Sequence, residues 1–410
     1  MPTAPAPDAA DESSLSYPGW RVVGVCFVMA MLVWGFGFYG HGFYLAELQR
    51  LHGWPTSLIS GATTISYLFG ALLVVFVDDA IRRVGVRTCV LTGAVTLAGS
   101  TAALPFVVEP WQLLAAYLAM SFAWAAMGLG AINVILGLWF VSRRGLAISL
   151  ALNGASFSGI VIVPALVLVA GVAGFTAAML AGAVFTLLVM LPLSFAVLGM
   201  APPTANAPTP QSEAATTAAT SAAWTRASAL GSLAFWSVTA PFALAITSQA
   251  GFLVHQIALL EPAIGRPAAG VAVAITTAMA IVGRLTLGAM AAWLDQRLAA
   301  ALSLATQTAA LALLTQTADA TTLLAACAVY GFSVGNVITF PALIVQREFE
   351  AASFGMLTGL STGIILFVCA FGPVLLGLVR DASGSYSAPL TVCIVLNLVS
   401  AAIVLWRPRR

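Results

Sequence analysis

One arginine of the sequence lies within an otherwise apolar segment, where it would act as a fixed cation. Arg284 stands eleven residues before Asp295, the next charged residue. If the segment spans a membrane as a helix, Arg284 lies about 16 Å inside the membrane edge, because an α-helix rises about 1.5 Å per residue. An arginine near the bilayer centre costs at least about 2.5 to 3.5 kcal/mol, and its guanidinium keeps its proton. An anionic or strongly polar group must therefore face Arg284.

The sequence offers two kinds of partner for this cation. The first is an Asp or Glu inside the membrane, but every carboxylate of the sequence lies at a predicted loop, tail or helix end. The second is a carboxylate on a bound substrate, whose geometry matches the planar guanidinium fork. The placement of the acidic residues favours the substrate anion.

Two asparagines share the predicted depth of Arg284. Asn133 lies ten residues before Arg143, and Asn336 lies eleven residues before Arg347. An isolated Asn in a membrane helix often joins two helices by a hydrogen bond. The symmetric placement of this pair favours the other interpretation, in which both side chains line a cavity and bind the substrate.

Two histidines lie nearer to the outer ends of their predicted helices. His41 is 20 residues, about 30 Å, beyond Arg21, and His255 occupies the outer third of its helix. Because histidine titrates near neutral pH, either ring can take up a proton as substrate binds or belong to an outer gate. Tyr39 and Gln256 are the polar neighbours that would contact substrate. The alternative is an interfacial histidine that only satisfies a helix end.

The elements that must position these residues follow from composition. Of the 410 residues, 61% are hydrophobic and 7% are charged, which excludes a soluble protein of this size. Twelve spanning helices need about 240 apolar residues, and 61% of 410 supplies about 250. Unbroken apolar runs exclude a transmembrane β-barrel, and a net charge of +2 without a long basic cluster excludes nucleic-acid binding. The expected fold is all-α and integral to the membrane.

The sequence contains no motif for chemistry other than binding and transport. It has no nucleotide-hydrolysis loop, no metal-binding helix motif and no nucleophile elbow. The five cysteines lie in apolar runs without a CxxC pair, so neither a disulfide framework nor a metal site is indicated. We therefore expect no catalytic residue, no metal and no cofactor, and we do not expect an enzyme.

Apolar runs bounded by charged residues, Pro or Gly predict twelve spanning helices. They lie near 21–46, 56–77, 88–108, 111–140, 146–170, 175–199, 230–258, 268–293, 298–317, 320–345, 354–379 and 387–406. Residues 1–16 form a polar tail that is expected to be disordered, and residues 201–228, rich in Pro, Ala and Thr, form a linker that cannot bury enough surface to fold. The remaining residues divide into an N-terminal half, 17–200, and a C-terminal half, 229–410.

The placement of arginine predicts the orientation, because cytoplasmic loops carry an excess of basic residues. With the N-terminus in the cytoplasm, twelve arginines in loops or at helix ends face the cytoplasm and three face the other side. The cytoplasmic set is Arg21, Arg82, Arg83, Arg87, Arg143, Arg144, Arg226, Arg297, Arg347, Arg407, Arg409 and Arg410, and the outer set is Arg50, Arg266 and Arg380. Both termini and the linker are thus expected on the cytoplasmic side of a bacterial cytoplasmic (inner) membrane.

The two halves repeat each other in sequence. The matching pairs at equal spacing are His41 and Glu47 with His255 and Glu261, and Gly128 and Asn133 with Gly331 and Asn336. A duplicated six-helix unit predicts a pseudo-two-fold axis along the membrane normal, with the functional site between the halves.

The loop between the second and third predicted helices resembles the acidic, basic and glycine loop of the major facilitator superfamily. Its matching residues are Asp78, Asp79, Arg83, Gly85 and Arg87. The resemblance implies that this loop takes part in conformational change. It also implies the fold of that superfamily, with two pseudo-symmetric six-helix halves.

Further segments look like the monocarboxylate transporter and oxalate/formate antiporter branch of that superfamily. They are residues 18–21, 139–147 and 371–386, together with Gly283 and Arg284. This resemblance runs over essentially the whole chain. It implies that Arg284 binds the substrate carboxylate, and that Arg143 and Arg144 belong to the conformational loop motif.

The sequence departs from that branch at its charged positions. Animal monocarboxylate transporters place an aspartate one turn before the helix-8 arginine, where this sequence has Ala280, and a lysine near the outer part of helix 1, where it has Tyr39 to His41. The oxalate/formate exchanger has a second cation in helix 11, and this sequence has no basic residue there before Arg380. A dianion would meet one fixed positive charge, which favours a monocarboxylate.

These features together predict a secondary active transporter of a small organic monocarboxylate, such as lactate, pyruvate or a hydroxy acid. We expect it to be coupled to protons and to work by alternating access, as a monomer in the lipid bilayer. The carboxylate and a proton are the expected ligands. The alternatives are an organic-anion exchanger of the oxalate/formate type and a drug or metabolite exporter of the same superfamily.

Overall fold

The computed structural model describes residues 12, 14, 16–200, 224–290, 293–350 and 353–408. The regular secondary structure of these residues is helical throughout. Most of the predicted tail and linker lies outside the described residues. The last residues of the predicted linker belong to a short helix, Arg226–Leu230.

Eleven helical stretches of the described residues are long and apolar enough to cross a membrane. One of them, Arg144–Ala196, is two helices, because the backbone leaves the helical conformation at Gly174, where φ is +87°. The described residues thus contain twelve such helices, as predicted. They are α1 (Gly19–His52), α2 (Thr56–Val74), α3 (Val86–Ala103), α4 (Pro110–Trp139), α5 (144–173), α6 (175–196), α7 (Leu233–Ile264), α8 (Arg266–Met290), α9 (Gln296–Gln316), α10 (Ala320–Glu348), α11 (Phe354–Ser383) and α12 (Ser387–Leu405).

Several of these helices are interrupted in their central part. A π-helical turn occupies Gly35–Tyr39 in α1, and α4 leaves the helical conformation at Gly128. The regular α-helix also stops at Ile338 in α10 and at Ala370 in α11. Irregular backbone at membrane depth is tolerated where protein or a cavity satisfies its polar groups, and π-turns are frequent at functional sites.

The two halves pack in the same way. In the N-terminal half α1 lies against α5, α2 against α4, and α3 against α6. The corresponding pairs of the C-terminal half are α7 with α11, α8 with α10, and α9 with α12. This agreement supports the six-helix repeat inferred from the sequence. The halves meet through three pairs of helices, which are α1 with α7, α2 with α11, and α5 with α8.

Arg297, expected in a solvent-facing loop, is instead buried at the beginning of α9. Its guanidinium donates to the Glu348 carboxylate at 2.6 and 2.8 Å and to the carbonyl groups of Val404 and Trp406 at 2.8 and 2.9 Å. Ser237 Oγ accepts a further bond at 2.9 Å. A buried guanidinium is stable only when its donors are paired, and here they join α7, α9, α10 and the end of α12.

Candidate functional site

Arg284 lies on the face of α8 that is directed toward the N-terminal half. Thr277 and Arg284 are seven residues, about two turns, apart, so their side chains leave α8 in nearly the same direction. Thr277 packs against α5, where a Cβ atom at Gly159 would collide with it. Arg284 therefore points across the boundary between the halves.

The Arg284 side chain is half-buried, and within the described residues it makes no hydrogen bond and no ion pair. Its positive charge acts on the hydroxyl group of Tyr39 in α1. Tyr39 is half-buried at the end of the π-helical turn. A cation from one half and a phenol from the other thus lie near each other, and no carboxylate of the described residues pairs with the cation.

Asn336 lies on α10, the helix that packs against α8. The two backbones are in contact at Gly335, where a Cβ atom would collide with the Ala280 carbonyl group. The Asn336 amide nitrogen donates to the Phe332 carbonyl at 3.2 Å, whereas its Oδ1 atom is buried and has no donor among the described residues. Leaving such an oxygen unpaired is costly, so this atom is suited to accept a hydrogen bond from a ligand.

Asn133 occupies the matching position on α4, five residues after the break at Gly128. It is half-buried, and its side chain forms no hydrogen bond with the described residues. Its main-chain carbonyl accepts a bond from Arg144 Nη2 at 3.3 Å. The Asn133 amide is therefore not used as a link between helices in this conformation.

Gln256 is fully buried inside the C-terminal half. Its amide nitrogen donates to Thr276 Oγ1 at 2.9 Å and lies 3.5 Å from Cys327 Sγ. These bonds join α7, α8 and α10, which is the packing role of many polar residues in membrane helices. Contact between Gln256 and a substrate stays a prediction.

His255 is buried between α7 and α11. Its Nε2 atom lies 3.0 Å from the Pro373 carbonyl oxygen, and its Nδ1 atom lies 3.3 Å from the Tyr386 hydroxyl. Because a carbonyl group only accepts hydrogen bonds, Nε2 must carry a hydrogen, and in the neutral ring Nδ1 accepts from Tyr386. Both nitrogens of His255 therefore have partners.

His41 is equally buried, at 1% exposure, but it is surrounded by aromatic rings. The ring centroids of Tyr44, Tyr67 and Tyr117 lie 5.9, 5.5 and 4.6 Å from its own ring centroid, each in an edge-to-face arrangement. Neither ring nitrogen makes a hydrogen bond of normal geometry with the described residues. The hydroxyl groups of the three tyrosines are also buried without partners there, so this cluster holds several polar atoms that could bind water or a proton.

A buried carboxylate joins the halves on the side opposite to the chain termini. Glu47 is 1% exposed, and it forms ion pairs with Arg50 of the same helix at 2.8 Å and with Arg266 at the beginning of α8. The sequence shows Glu47 only as a helix-end charge. The sequence does not predict which arginine pairs with Glu47, because that depends on how the two halves pack against each other.

A second acidic residue makes a similar connection. The Asp381 carboxylate of α11 accepts hydrogen bonds from the main-chain nitrogens of Thr56 and Ser57, at 3.1 and 2.7 Å, in the first turn of α2. These orphan N–H groups and the positive end of the helix dipole favour an anion. Together with Glu47, Asp381 closes the bundle on this side.

The loop-motif residues lie on the side of the chain termini, where they contact the N-terminal half and, through the main-chain nitrogen of Arg143, the Glu12 carboxylate at 2.8 Å. Gly85 has φ of +83° and begins α3, and Arg87 donates to the Phe195 carbonyl at 3.3 Å. Asp78 pairs with Arg82 at 2.7 Å. The exposed members are Asp79, Arg83, Arg143 and Arg144. Their part in conformational change stays a prediction.

An aromatic cluster beside Tyr39 could not be anticipated from the sequence. The ring centroids of Trp34 and Trp124 are 4.5 Å apart, and Phe38 stacks on Tyr67 at 5.7 Å. Phe38 also contacts Tyr39 edge to face at 5.1 Å. The spacing of four residues between Trp34 and Phe38 indicates a shared helix face, but the π-helical turn between them changes the register and decides which neighbours they meet.

Residues 23–373 match the model of the Major Facilitator Superfamily, so the chain belongs to that superfamily. The fold is similar to that of a bacterial homologue of the human lysosomal transporter Spinster in an inward-facing and occupied conformation. The TM-score is 0.74 at 14% identity, over 96% of this chain and 97% of the other.

A shorter similarity concerns sequence. The chain is 37% identical over 79 residues to a protein of Thauera aromatica named "Putative anionic 4-hydroxy-benzoate permease". This match covers 18% of the chain and 46% of that relative. The superfamily match confirms the predicted fold and the class of multi-pass membrane transporters, whereas the monocarboxylate branch stays a prediction.

Proposed function

We propose that this protein is a secondary active transporter of a small organic monocarboxylate. The observation that supports this proposal is Arg284, a fixed cation that points across the boundary between the halves and has no partner among the described residues. The guanidinium group keeps its charge and can hold a carboxylate by two parallel hydrogen bonds. Binding of one carboxylate would neutralise that charge.

The polar groups near Arg284 are suited to bind different parts of such a substrate. The Tyr39 hydroxyl can donate to the carboxylate, while the Asn336 Oδ1 atom can only accept. This oxygen suits a hydroxyl group of the substrate rather than its carboxylate. The Asn133 amide, at the matching position of the other half, can bind a further substituent.

Transport would proceed by alternating access, with the halves rocking about this site. The ion pair between Glu47 and Arg266 and the bonds of Asp381 close the side opposite to the termini. We assign that side to the exterior of a bacterial cytoplasmic membrane, since the arginine distribution favours a cytoplasmic position for both termini. Entry from outside requires these contacts to break.

Proton coupling is a further part of the proposal, and we assign it to His41 in preference to His255. The His255 ring is held by Pro373 and Tyr386, so a second proton would disturb an existing pair of bonds. The nitrogens of His41 make no hydrogen bond of normal geometry with the described residues, and the backbone of Gly37 and Phe38 lies near the ring. Within this cluster of one histidine and three tyrosines, the imidazole is the group that can take up a proton and become a cation.

The comparisons support the coarser parts of this proposal. Membership of the superfamily supports transport, and the printed name of the Thauera aromatica relative supports an anionic organic substrate. One chain carries all the residues used above, so the proposal needs no second copy.

A competition assay with purified protein tests whether the site prefers a substrate with one negative charge to a substrate with two. A dicarboxylate at Arg284 would keep one negative charge without a fixed counter-ion, and burying an unpaired charge is expensive. We therefore expect lactate, pyruvate or a hydroxy acid to displace a labelled monocarboxylate at lower concentration than oxalate or malonate does at neutral pH. Displacement by oxalate at lower concentration would contradict the proposal and favour an exchanger of the oxalate/formate type. Export of apolar compounds that persists in Arg284→Leu would favour a drug exporter.

A further inference from the structure

We infer that the substrate is an aromatic monocarboxylate, with its ring against an aromatic wall of the N-terminal half and its carboxylate on Arg284. The aromatic wall consists of Trp34, Phe38, Tyr39 and Trp124. This inference rests on the proposed function and adds the chemical class of the substrate.

The rings of the wall keep part of their surface exposed. Trp34, Phe38 and Trp124 are all only partly buried, and their centroids lie 4.5 Å apart for Trp34 and Trp124 and 6.5 Å apart for Phe38 and Trp124. Helix α1 packs against α4, α5 and α7, so it is enclosed by other helices. The exposed parts of Trp34 and Phe38, which lie on α1, are therefore expected to face the boundary between the halves rather than lipid, and Trp124 adjoins both rings.

Tyr39 is the residue of the aromatic wall that lies near Arg284. Phe38 contacts Tyr39 at 5.1 Å with an interplanar angle of 87°, and the charge of Arg284 acts on the Tyr39 hydroxyl. Tyr67 stacks on the Phe38 ring at an interplanar angle of 19°. A ligand bound to Arg284 by its carboxylate would place its remaining atoms beside these rings.

The chemistry of the wall selects an aromatic ligand over an aliphatic one. Two- or three-carbon acids such as lactate are too short to cover the face of an indole or phenyl ring while the carboxylate stays on the guanidinium. A benzene ring can stack offset or edge to face with such rings, which strengthens binding beyond the area that is buried. We expect this preference to amount to about two- to tenfold in affinity over an alicyclic acid of equal size.

Titration calorimetry on the purified full-length protein in detergent tests the inference, with benzoate, cyclohexanecarboxylate and lactate as probes. Benzoate should bind about two- to tenfold more tightly than cyclohexanecarboxylate. Trp124→Leu and Phe38→Leu should each reduce this ratio toward one while lactate affinity changes little. The matched control is Trp111→Leu, since Trp111 lies on α4 as well but is 67% exposed, and it should keep the ratio.

The outcomes separate the inference from the proposed function. Equal affinities for benzoate and cyclohexanecarboxylate, or a ratio that neither wall variant alters, would overturn the aromatic class. If these acids and lactate then still bind in a way that Arg284→Gln abolishes, the monocarboxylate function stands. If no carboxylate binds, or if Arg284→Gln leaves binding unchanged, the proposed function itself is wrong.

Discussion

The outer ends of the two halves have the same residues at the same spacing, and the structure uses them differently. In the N-terminal half Glu47 is buried and pairs with Arg50 and Arg266, while the ring nitrogens of His41 make no hydrogen bond of normal geometry with the described residues. In the C-terminal half Glu261 is only partly buried, and His255 is held by two hydrogen bonds.

This difference shows that a sequence repeat predicts where a residue lies in its half but not which interactions it makes. One copy of the acid joins the halves across their boundary, and the other copy of the histidine stabilises the packing of its own half. The ring nitrogens of the remaining histidine, His41, are available to take up a proton during transport. Breaking each member of a pair separately tests this division of roles.

The largest effect is expected for substitution of Glu47. Glu47→Gln leaves Arg266 without its ion pair, and loss of one partner of a buried pair commonly costs about 3 to 5 kcal/mol. The closed outer side should become less stable by an amount near the lower value, since Arg266 is 18% exposed. Hydrogen–deuterium exchange read by mass spectrometry should then rise in residues 56–64 and 372–383, which form the junction between α2 and α11.

Glu261→Gln is the matched control for that experiment. Partly exposed charges contribute roughly 0 to 1 kcal/mol, so exchange in the same two segments should stay close to that of the unmodified protein. Equal increases in both variants would show that the two acids share one role, contrary to the structure.

A smaller effect is expected for the two histidines. His255→Gln should lower the melting temperature by about 1 to 2 °C, because each lost hydrogen bond costs about 1 kcal/mol and a chain of 410 residues shifts by roughly 1 °C per kcal/mol. It should still accumulate substrate in proteoliposomes with an imposed pH gradient. His41→Gln should keep the melting temperature and retain exchange at equal pH, but lose accumulation driven by the gradient.

The opposite pattern, with coupling lost in His255→Gln alone, would reverse the assignment made here. Accumulation that survives in both variants would mean that the proton travels on the substrate as the neutral acid, or that the protein exchanges anions without a proton step.

The sequence was sufficient to predict the features that depend on the local hydrophobic pattern and on the depth of a residue in the membrane. Apolar runs predicted the twelve helices, and a glycine-containing gap between the fifth and sixth matches the non-helical Gly174. The apolar surroundings of Arg284 indicated a charge without an acidic partner, and the structure agrees for the described residues.

Features that depend on contacts between distant residues could not be predicted. The burial of Arg297 requires Glu348 and the end of α12, and the closure of the outer side requires Glu47 to meet Arg266 from the other half. The aromatic wall depends on a π-helical turn, because one extra residue in a turn rotates the following side chains around the helix. Hydrophobic periodicity does not reveal such a turn.

The central claim is that Arg284 binds the substrate carboxylate, and the affinity of Arg284→Lys for the best monocarboxylate tests it most directly. Lysine keeps the charge but lacks the planar fork, and charge-assisted hydrogen bonds contribute about 1.5 to 3 kcal/mol each. We predict a loss of affinity of at least about tenfold, with an unchanged melting temperature in the absence of ligand. The exposed Arg82→Lys serves as a control that keeps full affinity. Unchanged affinity in Arg284→Lys would contradict the account and show that the arginine is structural.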